Sequence, residues 1–74
     1  MLTENSVDKT FKDNQGNNIL IFKQCLNCCH GVRYYGYIEY DPSDNFFAYN
    51  SKGQRLDHKG RVSKDSSFDL ILGD

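Results

Sequence analysis

The chain predicts a mainly β fold: a small antiparallel sheet, or an SH3/OB-like open barrel, of roughly five to six short strands. Three observations lead there. Clusters of Asn, Asp, Gly and Ser recur at short intervals and punctuate the chain. The segments between them favour β-branched and aromatic residues. No window sustains the 3.6-residue apolar period of an amphipathic helix.

The elements follow from that punctuation. Asp13-Asn14-Gln15-Gly16-Asn17-Asn18 is dense in turn formers and separates residues 7–12 from 19–26, which read as a hairpin. Cys28-Cys29-His30-Gly31 reads as the next reversal. The strongest strand signal is 32–40. There Val32, Tyr34, Gly36, Ile38 and Tyr40 alternate with Arg33, Tyr35, Tyr37 and Glu39. A glycine inside a strand, Gly36, marks a bulge or a sharp bend. Asp41-Pro42-Ser43-Asp44-Asn45 is a turn with proline at its second position. Residues 46–50 form a short strand, 51–54 a turn, and Arg55-Leu56 a brief pairing. Two loops, at 58–60 and 64–67, precede a last apolar strand at 68–72, on which Leu70 and Leu72 share a face. The polar N-terminus could form a short helix capped by Thr3 or Asn5. With little to dock, residues 1–6 are expected to be disordered. No repeat or low-complexity tract is evident.

At 74 residues the chain is one domain, 1–74. A domain of this size buries only about 60% of the surface that its unfolded chain exposes. A catalytic pocket would remove packing from a core that is already thin, so composition points to a non-enzymatic protein without a cofactor. Formal net charge is −1, with no polycationic stripe to drive strong non-specific nucleic-acid binding. The longest apolar run, Ile19-Leu20-Ile21-Phe22, is too short to span a membrane. The polar first twelve residues do not read as a signal peptide. The chain is therefore expected in the cytoplasm, with its three cysteines as reduced thiols.

Cys25-Leu26-Asn27-Cys28-Cys29-His30 holds the densest chemistry. Cys25 and Cys28 have the C-x-x-C spacing that lets two thiolates grip one zinc ion from a turn, and His30 and His58 are the candidate further ligands. A second ligand pair is missing, so the expected metal content is none. Redox chemistry suits the motif less, because it lies between strands and not at a helix N-terminus. A Cys29–His30 nucleophilic pair would need a third group to orient the base.

Strand 32–40 carries the stronger functional signal. A half-covered strand needs large apolar residues on one face only, yet this one has aromatics on both. Tyrosine combines broad contact area, a polar tip and low rotamer entropy, and is enriched at interface anchors. The candidate binding residues are Arg33, Tyr35, Tyr37, Glu39, Phe47 and Tyr49. The alternative is that the tyrosines stack across strands with Phe46, Phe47 and Tyr49 and simply stabilise the sheet.

Two resemblances bear on these residues. Tyr35-Gly36-Tyr37-Ile38, a Pro-Ser-Asp turn, then Asn45-Phe46-Phe47-Ala48-Tyr49 resembles the paired aromatic motifs of cold-shock domains over residues 32–51. That likeness implies a five-stranded barrel stacking the bases of single-stranded nucleic acid on Tyr35, Tyr37 and Phe47. The chain departs from the family in having no tryptophan and in carrying Tyr34 where the family has glycine. The wider layout of aromatic strands, Asp/Asn turns and a terminal Phe68-Asp69-Leu70-Ile71 is similar to small bacteriophage accessory proteins. That likeness implies an inhibitor that binds a host protein.

The leading expectation is thus a cytoplasmic protein-binding β-domain of phage-accessory type, with a protein partner and the capacity to form a homodimer. A single-stranded nucleic-acid binder comes second and a zinc-stabilised domain third.

Overall fold

A computed structural model describes residues 1–28, 31–40 and 45–72, with Asn27 and Cys28 described by backbone alone. The fold is mainly β, as expected. Five antiparallel strands form one open sheet in chain order: β1 (Lys9–Lys12), β2 (Asn18–Cys28), β3 (Gly31–Ile38), β4 (Phe47–Tyr49) and β5 (Arg55–Leu56). The expected turn at 41–45 and the tip of the 28–31 reversal fall largely outside the described residues.

Three connections share one turn chemistry, which recurs along the chain. Asp13, Asn50 and Asp57 each head a five-residue loop. The Oδ1 of each accepts from the backbone N–H two and four residues on, at 2.8–3.0 Å. The fourth residue of each loop is a glycine with positive φ: Gly16 at 86°, Gly53 at 81° and Gly60 at 83°. A short polar side chain that mimics the backbone, followed by a residue free to enter the left-handed region, reverses a chain within its own sequence. Asp13 is buried, and its carboxylate also accepts from the Asn17 side chain.

The inner face of the sheet is the core. Leu2, Ile19, Ile21, Tyr34, Tyr49 and Leu70 are buried together, with Phe11, Ile38, Phe47 and Leu72 packed against them. The period-2 alternation on β3 holds, since Tyr34 and Gly36 are buried while Tyr37 is exposed. Gly36 is not itself a bulge. It pairs with Ile21 on one side and Phe47 on the other. A Cβ there would stand 2.8 Å from Ile19 Cγ2 and 3.0 Å from Ile21 Cδ1, so the missing side chain makes room for two core isoleucines.

The irregularity lies across from Gly36, on β2. Ile21 pairs with Gly36 and Lys23 pairs with Tyr35, which leaves Phe22 as an extra residue. A bulge switches which residues of a strand face inward. An unbroken alternation after Ile19 and Ile21 would turn Lys23 and Cys25 into the core. With the shift, Lys23 is exposed and Gln24 faces the core instead. Gln24 is satisfied there: its Nε2 donates to the Tyr34 hydroxyl at 3.0 Å, and that hydroxyl donates to the Leu2 carbonyl at 3.1 Å.

The N-terminus forms the short helix that Thr3 was a candidate to cap, and residues 1–6 are ordered. Thr3 caps a 3-10 helix over Glu4–Ser6, Leu2 is only 3% exposed, and the Leu2 N–H donates to the Ser51 carbonyl at 2.7 Å. A single apolar residue supplies the docking that the polar segment seemed to lack. At the other end, 68–72 is not a strand. A 3-10 helix covers Ser66–Phe68, and Leu70 makes only an isolated bridge with Asp13. The reason is that its backbone bonds are shared between two regions. Leu70 N–H donates to Gly53 O at 2.8 Å, and Ile71 N–H donates to Lys12 O at 2.7 Å. Leu70 and Leu72 do share a face, since both press against Gly53.

Candidate functional site

β3 presents Arg33, Tyr35 and Tyr37 on the face opposite the core. Phe22, the extra residue at the β2 bulge, lies on the same face, and Phe46 joins from the residue before β4. These rings form one cluster. Phe22 lies 5.6 Å from Tyr37 and 6.1 Å from Phe46, and Tyr35 lies 5.9 Å from Phe46, in tilted or edge-on arrangements. Such geometries are favourable for aromatic pairs. The cluster remains open to solvent: Phe46 is 59% exposed, Phe22 39% and Tyr37 38%. A shallow depression of about 460 Å³ opens between Phe22, Lys23, Cys25, Tyr35 and Phe46.

A second depression, of about 540 Å³, shares Tyr35 and Phe46 with it as lining residues. Arg33, Phe47, Arg55 and Phe68 also line it. The Arg55 guanidinium packs over the Phe47 ring at 3.8 Å and near the Phe68 ring at 4.5 Å. The Arg33 Nε is buried with no hydrogen-bond partner among the described residues. Asp57 and His58 complete part of the rim. The Asp57 carboxyl is held below the usual range, chiefly by the Arg61 N–H, which donates to it.

The structure divides the expected binding residues. Arg33, Tyr35 and Tyr37 share the outer face. Glu39 lies past the end of β3, half-buried, where its N–H donates to the Asn18 carbonyl. Phe47 turns to the inner side, packing against the core and beneath Arg55. Tyr49 is 1% exposed and pairs with Tyr34, so it is a core residue and leaves the binding set. Burial pushes its hydroxyl up to about 12; Asp13 and Asp69 add to the rise, and Arg55 opposes it. Phe22, Phe46 and Arg55 were missed by the sequence reading. The signal for Phe22 was present: in Ile19-Leu20-Ile21-Phe22 every residue is apolar, so at least one large side chain must face away from the core.

The cysteine cluster also needs correction. Cys25 is disulfide-bonded, not a reduced thiol. A sulfur in a disulfide is not a thiolate ligand, so the zinc arrangement loses its first member. The side chains of Cys28 and His30 lie outside the described residues, and His58 is exposed on the third five-residue turn. Among the described residues no three His, Cys, Asp or Glu side chains converge as a metal site. No helix among them is long and apolar enough to cross a membrane.

No protein-family model, curated protein or solved structure matches this chain.

Proposed function

We propose that this chain is a non-enzymatic domain that binds a protein partner through the outer aromatic face formed by Phe22, Tyr35, Tyr37 and Phe46. The observation that carries this reading is the contiguous exposure of large rings on a sheet whose other face already supplies a core. Exposed apolar clusters of this kind mark interaction sites on small soluble domains. A phage-type inhibitor of a host protein is the form of this activity that we favour, with self-association through the same face as its competitor.

The test is affinity capture from bacterial lysate with the wild type and a Tyr37→Ser, Phe46→Ser double variant. Light scattering on both reads self-association. The reading expects one reproducible partner, lost in a variant that melts at the wild-type temperature. Equal capture by both proteins would sink it.

The second reading, single-stranded nucleic-acid binding, keeps Tyr35 and Tyr37 but loses Phe47 from the shared face. Phe46 takes its place beside the arginine-lined depression. Titration with a fluorescent oligonucleotide separates the two.

The cytoplasmic placement is part of this proposal. The Cys25 disulfide pulls against it, because disulfides persist in oxidising compartments. With three cysteines in the chain and two consumed in a disulfide, one thiol should alkylate without reductant. Intact mass of protein trapped directly from cells checks this. Three alkylations would restore the reduced reading.

A further inference from the structure

We propose that the depression between Arg33 and Arg55 is an anion-recognition site, taking an acidic side chain that the protein partner presents beside apolar residues. This inference rests on the docking-face reading and names the chemistry of the partner's contact.

Two different observations support it. The first is the Arg33 Nε–H, a buried donor that no described residue satisfies. Buried donors of this kind are rare in folded proteins, and Arg33 is among the residues that line the depression. The second is the way Arg55 is held. Packing over Phe47 and near Phe68 engages the face of its guanidinium. The N–H donors of a guanidinium lie in its plane, so a face-stacked arginine is pre-organised to bind a carboxylate edge-on.

Arg33 and Arg55 line it with one carboxylate, Asp57, whose Oδ1 accepts from the Lys59 and Arg61 N–H groups. Asp65 and Asp69 also act on Arg55, Asp69 by accepting from its backbone N–H, so the guest must compete with them for the guanidinium. The walls between the arginines are rings: Tyr35, Phe46, Phe47 and Phe68. A guest must therefore combine negative charge with apolar flanks. An acidic residue set among apolar ones meets both demands. A nucleic-acid backbone would also supply oxyanions, but the chain has no polycationic stripe to hold a run of phosphates.

The experiment uses the intact chain and follows the Arg33 and Arg55 Nε–H resonances by nitrogen-15 NMR. The probes are a capped Phe-Glu-Phe tripeptide, its Phe-Gln-Phe counterpart at matched ionic strength, and a single-stranded thymidine oligonucleotide. The glutamate peptide should move both arginine resonances and saturate at about millimolar concentration, and the glutamine peptide should bind roughly tenfold more weakly. Arg33→Gln and Arg55→Gln should each erase the preference for glutamate. If Arg55→Gln unfolds the protein, the two peptides on wild type still decide the matter. Equal binding of both peptides, or no arginine shift with either, would overturn the site. Tighter binding of the oligonucleotide than of the glutamate peptide would overturn the acidic-partner assignment. Equal peptide binding that still depends on Phe46 would remove the anion site and leave the docking face standing.

Discussion

Tyr34 and Tyr35 are neighbours on β3, and they meet opposite surroundings. Tyr34 is 3% exposed, pairs with Tyr49, and passes a hydrogen bond from Gln24 to the Leu2 carbonyl. Tyr35 is half-buried, pairs with Ala48, and touches Phe46 in an exposed cluster. The same contrast separates the whole inner face from the outer one. Inside, rings and isoleucines are locked against a glycine with no room for a methyl group. Outside, Phe22, Tyr37 and Phe46 meet in ring contacts and stay open to solvent. Residue type is shared by the two faces, so the role of each tyrosine is set by its side of the pleat.

The comparison can be broken by exchanging its predictions. The largest effect belongs to the inner face. Tyr49→Ala should cost about 3–5 kcal/mol, as loss of a buried ring does, which is most of what a domain this small possesses. Urea melts measure it, and a cost near that of Tyr37→Ala would dissolve the distinction.

Gly36→Ala comes next. The added methyl group would meet Ile19, Ile21 and the Leu20 carbonyl at 2.8–3.0 Å. Overpacking of this kind costs about 1–3 kcal/mol. A combined Ile21→Val, Gly36→Ala variant, which removes the Ile21 Cδ1, should recover part of the loss if the clash is the cause.

Alkaline titration sharpens the contrast further. The Tyr49 hydroxyl has a folded value of about 12 against an ordinary value of 10.0. The neutral form is the one the fold favours, so this contribution is complete below pH 10. It is lost as pH rises toward 12, because the unfolded chain releases its proton first. The loss should approach roughly 2 kcal/mol and should be absent in Tyr49→Phe.

The smallest stability effects should lie outside. Tyr37→Ser and Phe46→Ser should each shift stability by about 0.5 kcal/mol or less, while changing partner capture most. A large destabilisation from either would make the outer cluster a second core and remove its claim as a docking face.

Much of the fold was legible because its signals are local. The headings at Asp13, Asn50 and Asp57 carry their turn chemistry within five residues, and the alternation on β3 names its own faces. What was hidden depends on distant partners. Leu2 looks like one apolar residue in a polar stretch until Tyr34 and Ser51 are placed beside it. The 68–72 segment reads as a strand because its residue types suit one, yet it divides its bonds between β1 and the 50–54 turn. The bulge at Phe22 was illegible for another reason. A run that is apolar on both faces has no periodicity to set its register. The candidate site was accordingly half visible: Arg33, Tyr35 and Tyr37 from alternation, Phe22 only as one of an all-apolar run, and Phe46 not at all, because the approach to β4 sets its position.

The 50–54 turn has a consequence for how the protein is dismantled. Lys52 is exposed at its tip, an apparent invitation to a protease. Yet Leu2 is hydrogen-bonded to Ser51 and Leu70 to Gly53, so segments from both ends of the described chain are fastened to these few residues. A protease must draw an extended stretch of backbone into its cleft, and here that means releasing both fastenings. Cleavage at Lys52 should therefore proceed at the pace of global opening, while Lys59, in a turn of the same chemistry without such fastenings among the described residues, should be cut through local fluctuation.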